Sequence, residues 1–272
     1  MQFVPHINQS IWDTSVGISI LGSLEVTEEG KTLVIPGEKL RTILALLAIN
    51  SPKSVSCDVL ISELWMKSTP TNPGNALQAH ITRIRRIFRQ DVRSRNPDSI
   101  ISTTPTGYEL NLPGCSIDSN RFIQLVTDGR RLIRADPAEA MRLIEQGLFL
   151  WRGAALLDTG EGPLCRSAAL WLENTRLVAQ EDLFEVKLEL GLHQAVAEEL
   201  EYLAAQNPLR ERLADLLMRA FYLGGRPAAA LSIYRKTRER LIRELGIEPS
   251  RVLQDRYQMI LNHDPSLATP GQ

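Results

Sequence analysis

Residues 76–88 carry the sequence ALQAHITRIRRIF, which combines an apolar stripe with closely spaced arginines. Four apolar residues in this stretch recur at intervals of three and four positions, the spacing of one helix face. They are Leu77, Ile81, Ile84 and Phe88. The pattern predicts a helix from Asn75 to about Gln90 that buries this stripe against a core and leaves its other faces exposed.

The exposed faces of this predicted helix are basic, although the 272-residue chain has a formal net charge of only −1. Residues 74–95 contain six arginines and a single acidic residue, Asp91. The arginines are Arg83, Arg85, Arg86, Arg89, Arg93 and Arg95. A local excess of positive charge matters more for phosphate binding than the net charge of a whole chain does. A row of arginines on a helix is often only a solvated surface. Whether this row binds a ligand therefore has to be judged from the elements around it.

The residues before this helix predict a small sheet and two shorter helices. Residues 16–35 alternate apolar and polar side chains around the turn Glu28-Glu29-Gly30, which is typical of short antiparallel strands. Apolar residues at helical spacing predict a first helix at about 38–50. A second helix is expected to begin after Ser56, whose side chain can cap the first amides.

The residues after the arginine-bearing helix predict a hairpin. The stretches Ile100–Thr103 and Tyr108–Leu112 flank the turn residues Thr104-Pro105-Thr106-Gly107. A sheet, three helices and a terminal hairpin follow one another in the order of a winged helix-turn-helix domain. In such domains the second helix of the helix-turn-helix pair lies in the major groove of DNA.

From about residue 118 onward the sequence predicts helices and almost no strands. Helix starts are expected at Asp136-Pro137, Asn207-Pro208 and Arg226-Pro227. Leu190-Gly191 recurs as Leu223-Gly224, a period of 33 that is close to the about 34 residues of tetratricopeptide repeats. The fold class expected is therefore an α+β winged helix-turn-helix domain followed by an all-α tetratricopeptide-like helical repeat domain.

Two further expectations concern the side chains of this helical part. The pair Glu181-Asp182 is expected to be solvated charge on an amphipathic helix. Five aromatic residues are expected in the repeat core. They are Trp151, Trp171, Phe184, Phe221 and Tyr234.

Composition predicts a cytoplasmic protein. Hydrophobic residues make up 43% and charged residues 23%, the balance of a globular chain, and no apolar run reaches the roughly 18–20 residues of a membrane span. The first fifteen residues lack the basic start and apolar stretch of a signal peptide, so we expect neither a signal peptide nor a receiver domain before residue 16. The three cysteines, Cys57, Cys115 and Cys165, are far apart, which suits a reducing compartment.

No motif indicates an enzyme, a metal or a cofactor. The stretch Gly30-Lys31-Thr32 resembles the end of a phosphate-binding loop, but Glu25 stands where that loop needs its first glycine. The histidines other than His80 suggest no ligand cluster around it. We therefore expect no cofactor, no metal and no catalytic residue.

The chain resembles the Streptomyces antibiotic regulatory protein family over residues 16–262, nearly its whole length. The matching stretches are ILGSLEV (20–26), LISELW (60–65), ALQAHITRIRRIF (76–88), TGYEL (106–110), LWRGAALLD (150–158), NPLRERL (207–213) and GGRPAAALSIYRKTRERLIRELGIEPS (224–250). The resemblance implies an OmpR-type winged helix at 16–113 and a bacterial transcriptional activation domain at 114–262. Residues 1–15 would be an N-terminal extension and 263–272 a tail. Larger relatives continue into a nucleotide-binding domain, which is not expected in this chain.

The resemblance implies DNA contacts at eleven positions, and the helix periodicity adds Arg86 as a twelfth. Arg83 would read bases, Gln78 and Ala79 would lie against base edges, and Arg86 lies beside them off the apolar stripe. Physical chemistry agrees, because arginine binds guanine and glutamine binds adenine through paired hydrogen bonds. Phosphate contacts would come from Asn75, His80, Thr82, Arg85, Trp65 and Tyr108, and Ser102 and Thr104 of the hairpin would lie near the minor groove. His80, Trp65 and Tyr108 fit a packing role about as well.

The family further implies partners and a function. Its members switch on secondary-metabolite gene clusters by binding direct repeats in double-stranded promoter DNA and recruiting RNA polymerase. The expected partners are therefore promoter DNA, a second protomer on it, and the polymerase with its sigma factor, and no membrane. Two alternatives stay open, a ligand-responsive repressor and a protein-interaction adapter that no longer binds DNA.

Overall fold

The structure, a computed structural model, describes residues 16–91, 100–112 and 116–267. The chain forms two compact units. The described residues up to Leu125 together with Gln146–Arg176 form the first, and Val126–Glu145 together with the described residues from Leu177 form the second. The predicted N-terminal extension, Arg93, Arg95 and Cys115, and the end of the predicted tail lie outside the described residues.

The first unit begins with an antiparallel sheet of three short strands, as predicted. These are β1 (Val16–Ser19), β2 (Glu25–Glu28) and β3 (Lys31–Leu33), with Ile18 opposite Val26 and Val26 opposite Leu33. The β2–β3 turn places Glu29 and Gly30 at φ 45° and 79°. Two successive positive φ angles suit the twist of a tight hairpin, so the predicted turn is confirmed.

Three helices follow the sheet, and their order confirms the prediction. They are α1 (Glu38–Asn50), α2 (Cys57–Leu64) and α3 (Pro73–Asp91). The Ser56 hydroxyl accepts a hydrogen bond from the Val59 amide at 3.3 Å, which is the cap expected at the start of α2. α3 begins two residues earlier than predicted, because proline is well suited to the first helical position. Each residue of its predicted apolar stripe is at most 1% exposed.

A second sheet completes the winged helix. Its strands β4 (Val55–Ser56), β5 (Ile101–Thr103) and β6 (Gly107–Leu110) lie in the order β4-β6-β5. Strands β5 and β6 form the predicted hairpin. Gly107 is required where β6 meets β4, because a Cβ atom there would lie 1.9 Å from the Val55 carbonyl oxygen.

The LWRGAALLD stretch belongs to the first unit, where it bonds to the loop after β1. The amides of Arg152, Leu156 and Leu157 donate to the carbonyls of residues 20–22 at 2.8–3.2 Å. Trp151 is 9% exposed and lies edge-on against Phe122, with ring centroids 5.4 Å apart. Residues 146–176 are thus part of the same compact unit as the winged helix.

Glu63 of α2 makes a second attachment to this segment. Its side chain is 5% exposed, and its two carboxylate oxygens accept from the amides of Leu164 and Cys165 at 3.1 and 2.8 Å. Gly162 allows this approach, because a Cβ atom there would lie 2.1 Å from the Glu63 carboxyl carbon. The carboxylate therefore satisfies amides that a helix start otherwise leaves without partners.

Seven α-helices follow the hairpin within the described part of the chain. They are α4 (Asp118–Leu132), α5 (Pro137–Phe149), α6 (Pro163–Glu189), α7 (His193–Gln206), α8 (Glu211–Leu223), α9 (Pro227–Leu245) and α10 (Arg251–Leu261). The second unit contains α7 to α10 and the adjoining parts of the other three. None of the helices in the described residues is both long and apolar enough to cross a lipid bilayer.

Two of the three predicted helix starts are confirmed. α5 begins at Pro137, where the Glu139 amide donates to the Asp136 carboxylate at 3.0 Å, and α9 begins at Pro227. The start expected at Asn207-Pro208 is wrong, because α8 begins at Glu211. The Asn207 amide still donates to carbonyls of α7, so this residue ends the preceding helix.

The helical repeat has a period of 34, not the 33 predicted. The turn that ends α6 has Gly191 at φ 76°, and the turn that ends α8 has Gly225 at φ 71°. The hydrogen bond from the Leu192 amide to Lys187 recurs as the bond from Arg226 to Phe221. The sequence pattern pairs Gly191 with Gly224, but the left-handed position of the second turn falls one residue later, on Gly225.

The expectation of solvated charge at Glu181-Asp182 is wrong. These residues are 1% and 2% exposed and lie against arginines from neighbouring helices. Arg210 Nε donates to Glu181 at 2.7 Å, and Arg212 Nη2 donates to Asp182 at 2.6 Å. Arg130 also binds Asp182, at 2.6 Å. The NPLRERL stretch therefore supplies cations to a buried pair of carboxylates, which explains how the pair is tolerated away from water.

The prediction of a place in the repeat core is correct for Phe184 and Phe221, which are 5% and 3% exposed. Trp151 is buried as well, but in the first unit and not in the repeat core. Tyr234 is only half-buried and stacks on Tyr257 with ring centroids 4.2 Å apart. Trp171 contradicts the prediction, since 54% of it is exposed. It lies in the part of α6 that belongs to the first unit, outside the repeat region.

Candidate nucleic-acid interface

Helix α3 presents one continuous exposed face opposite its buried stripe. Six exposed residues at intervals of three and one positions border a shallow depression of about 520 Å³. They are Asn75, Gln78, Ala79, Thr82, Arg83 and Arg86. We refer to these six as the outer face of α3. The structure thus brings together half of the twelve residues predicted to contact DNA.

The two arginines of the outer face have no acidic partner in the described part of the chain. No carboxylate there lies within 4.0 Å of the guanidinium group of Arg83 or Arg86. Both side chains are exposed, so their donors face solvent. Arginine offers five N–H donors in a planar fork that matches guanine or phosphate. The chemistry of this face is therefore that of a surface for anionic or hydrogen-bond-accepting ligands.

The polar residues around these arginines are partly committed to the helix itself. The Thr82 hydroxyl donates to the Gln78 carbonyl at 2.8 Å. The backbone amide of Asn75 donates to the Asn72 side chain at 3.1 Å, which caps the first turn of α3. The Gln78 side chain is exposed beside them.

Arg85 makes different contacts, although it is a neighbour of Arg86 in sequence. Its Nε and Nη2 atoms donate to the Ile101 carbonyl at 3.0 and 2.7 Å, and Nη2 also donates to the Thr103 hydroxyl at 3.0 Å. Arg85 therefore ties α3 to strand β5 of the wing. Its assigned phosphate contact stays a prediction, and the structure adds a role in positioning the wing.

Trp65 and His80 stack beside the outer face of α3. Their ring centroids are 6.0 Å apart with an interplanar angle of 29°, and Trp65 is only 8% exposed. The Lys39 ammonium lies 4.9 Å from the centroid of the Trp65 ring. Burial, followed by the charges of Lys39 and Arg83, lowers the pKa of His80, which favours a neutral imidazole. Lys39 is not among the predicted contacts, because its position in α1 gives no periodic or motif signal.

The wing residues are engaged within the hairpin. The Ser102 hydroxyl donates to Glu109 at 3.2 Å and accepts from Asn111 at 3.0 Å. The Thr104 hydroxyl accepts from the Gly107 amide at 3.1 Å and so closes the turn at the wing tip. Both residues are half-buried, and their predicted minor-groove contacts stay untested.

Tyr108 lies on the inner side of the wing. It is 8% exposed, and burial, with a smaller contribution from Cys57, raises the pKa of its phenol against the opposing charge of Arg85. The ring therefore packs in the core of the domain. Its phosphate contact stays a prediction.

Two family models match different parts of the chain. The model described as "Transcriptional regulatory protein, C terminal" matches residues 31–110, which include the outer face of α3 and the wing. The model described as "Bacterial transcriptional activator domain" matches residues 117–261.

Curated relatives and a solved structure agree with these matches. The transcriptional regulator RedD of Streptomyces coelicolor is 43% identical over 94% of this chain and 73% of its own. The regulatory protein DnrI of Streptomyces peucetius is 31% identical over 93% of this chain and 95% of its own. The solved structure of Mycobacterium tuberculosis EmbR in complex with a low-affinity phosphopeptide has a TM-score of 0.88 at 29% identity, covering 92% of this chain and 66% of that one.

Proposed function

The chain belongs to the Streptomyces antibiotic regulatory protein family of transcriptional activators, and from this we propose that it binds direct repeats in promoter DNA through α3. The outer face of α3 is proposed to enter the major groove, with Arg83 reading a guanine. Asn75, Thr82 and Arg86 would contact the backbone beside it. The wing would lie over the adjacent minor groove.

One observation carries this proposal. The six residues of the outer face are all exposed, and its two arginines have no carboxylate partner among the described residues. An exposed arginine without an acidic partner keeps its full capacity for paired hydrogen bonds to guanine. Backbone contacts add affinity and fix the register of the helix, while base contacts supply the sequence preference.

Activation is proposed to follow from recruitment and to need no chemistry. Two protomers on repeats about one helical turn apart would face the same side of the duplex. The helical domain would then contact the second protomer and RNA polymerase, including its sigma factor. A coupling of about 1.4 kcal/mol raises polymerase occupancy tenfold while the promoter is mostly vacant. The genes controlled are proposed to be an antibiotic biosynthesis cluster, and the protein to act in the cytoplasm without a cofactor.

The DNA-binding proposal is tested with the Arg83→Ala variant. Selection of genomic fragments on the purified wild-type protein yields its binding site, and fluorescence anisotropy then gives Kd values on that site. Loss of a paired guanine contact is expected to weaken binding by about 1–3 kcal/mol, or roughly 5- to 150-fold. Arg251→Ala serves as the matched control, because its side chain on α10 is 91% exposed. Full affinity in Arg83→Ala would refute base reading by Arg83, and failure of the wild-type protein to select any DNA would favour the adapter alternative.

The direction of regulation is tested by single-round transcription. Purified RNA polymerase transcribes a template that carries the selected site upstream of its promoter, with and without the protein. An activator raises the number of transcripts per template, and Arg83→Ala abolishes the increase. A decrease in transcript number would instead support the repressor alternative.

A further inference from the structure

We infer that Lys39 contacts the DNA backbone beside the site of α3, an inference that rests on the proposed function. Lys39 lies on the first turn of α1, outside the helix-turn-helix pair. None of the DNA contacts implied by the family resemblance falls on this residue. The inference therefore extends the interface to a third helix of the winged-helix domain.

Lys39 is held next to α3 by a stack of three side chains. Its ammonium lies 4.9 Å from the centroid of the Trp65 ring, and Trp65 stacks on His80 with centroids 6.0 Å apart. These side chains come from α1, the end of α2 and α3. His80 directly follows Ala79 of the outer face, so the stack adjoins that face.

The ammonium of Lys39 is available for a further partner. No carboxylate in the described part of the chain lies within 4.0 Å of it. A cation over an aromatic ring is attracted to the ring face but donates no conventional hydrogen bond to it. A lysine ammonium has three N–H donors, and a phosphate oxygen can accept from them.

The positive charge of the stack resides on Lys39. Trp65 is 8% exposed, so little of its indole can reach a phosphate directly. His80 is held toward its neutral form, because burial and the nearby cations lower its pKa. A phosphate that approaches this side of α3 is therefore neutralised by the lysine and not by the two rings.

The acidic residues near Lys39 limit the size of the expected effect. Lys39 borders a second depression, separate from that of the outer face, and Asp158 also borders it but has Arg41 at 3.4 Å. Glu38 and Glu161 also border it, so the depression is not a basic cleft. The contribution of Lys39 to DNA affinity should accordingly equal that of one phosphate contact.

The test compares the salt dependence of DNA binding in Lys39→Gln and the wild type. Each neutralised phosphate contributes about 0.9 to the slope of log K against log salt, so the slope should fall by about 0.9 in the variant. Affinity at about 0.1 M salt should fall roughly three- to tenfold. Lys39→Arg should retain the wild-type slope, because it retains the charge. Lys31→Gln removes one exposed charge from β3, a strand that contributes no side chain to the stack, and should also retain the wild-type slope.

A wild-type slope in Lys39→Gln would overturn the inference. So would weaker binding with an unchanged slope and a lower Tm, because Lys39 would then only support Trp65. Arg83→Ala, measured on the same DNA, separates this failure from that of the proposed function. If Arg83→Ala weakens binding and Lys39→Gln does not, only the Lys39 contact is refuted. If the wild type selects no DNA, the proposed function itself is refuted.

Discussion

The outer face of α3 and the buried cluster of the second unit use arginine in opposite ways. On α3, Arg83 and Arg86 are exposed and have no carboxylate partner in the described residues. In the second unit, Arg210 and Arg212 bind Glu181 and Asp182 at 2.6–2.7 Å, and both carboxylates are almost fully buried. The arginines of α3 therefore keep N–H donors that can bind another molecule. Those of the second unit use their donors on carboxylates within the protein.

The environment of an arginine, and not the density of arginines in the sequence, distinguishes a binding role from a structural one. Both regions place arginines two or three residues apart. Only the second has carboxylates that need a cation because they are removed from water. Mutations that remove a guanidinium group should therefore lower stability in one region and DNA affinity in the other.

The largest effect on stability is expected for Arg210→Ala. It removes the paired donors to Glu181, which is 1% exposed, and among the described residues leaves Arg212, at 3.5 Å, as its remaining cation. Leaving a buried charge with a poor partner costs about 3–5 kcal/mol of unfolding free energy. Chemical denaturation measures this loss. Arg251→Ala, the exposed control, should change the unfolding free energy by less than about 0.5 kcal/mol. A stability equal to the control would show that the cluster is not structural.

An intermediate effect is expected for Arg85→Ala. This residue is next to the outer face but donates to Ile101 and Thr103 of the wing strand. Loss of hydrogen bonds from a charged donor should lower the unfolding free energy by about 1.5–3 kcal/mol. Hydrogen exchange should become faster at the amides of the hairpin, because α3 no longer holds β5. An unchanged exchange rate there would refute the positioning role of Arg85.

The smallest effect on stability is expected for Arg86→Ala. Its side chain is exposed and has no carboxylate partner among the described residues, so the unfolding free energy should change by less than about 0.5 kcal/mol. DNA binding should nevertheless weaken, with the salt slope reduced by about 0.9 as one phosphate contact is lost. Thermal denaturation measures the change in stability, and anisotropy titrations at several salt concentrations measure the slope, both on the same preparation. A large drop in Tm would place Arg86 with the structural arginines.

Local patterns were sufficient to predict most of the winged helix. The apolar stripe of α3, the Ser56 cap and the β2–β3 turn all depend on residues close together in sequence, and all are confirmed. The exposed outer face followed from the same periodicity, because residues off the stripe must face elsewhere. Arg85 could not be assigned in this way, since its partner Ile101 lies 16 residues away on another element.

The predictions that failed depended on contacts between distant residues. Glu181 can be buried because Arg210, 29 residues later at the start of α8, donates a hydrogen bond to it. The repeat register moved by one residue because only the backbone angle distinguishes Gly224 from Gly225. The exposure of Trp171 could not be read from α6, a 27-residue helix whose faces have different neighbours along its length.

The hydrogen bonds from Arg152, Leu156 and Leu157 to residues 20–22 determine where this protein can be divided. A shortened chain that ends between residues 110 and 117, where the two family matches meet, would leave the carbonyls of residues 20–22 without these donors. It would also deprive the Glu63 carboxylate of both its amides. Chimeras between relatives should therefore exchange residues 146–176 together with the winged helix, so that the segment and the loop it binds come from the same parent.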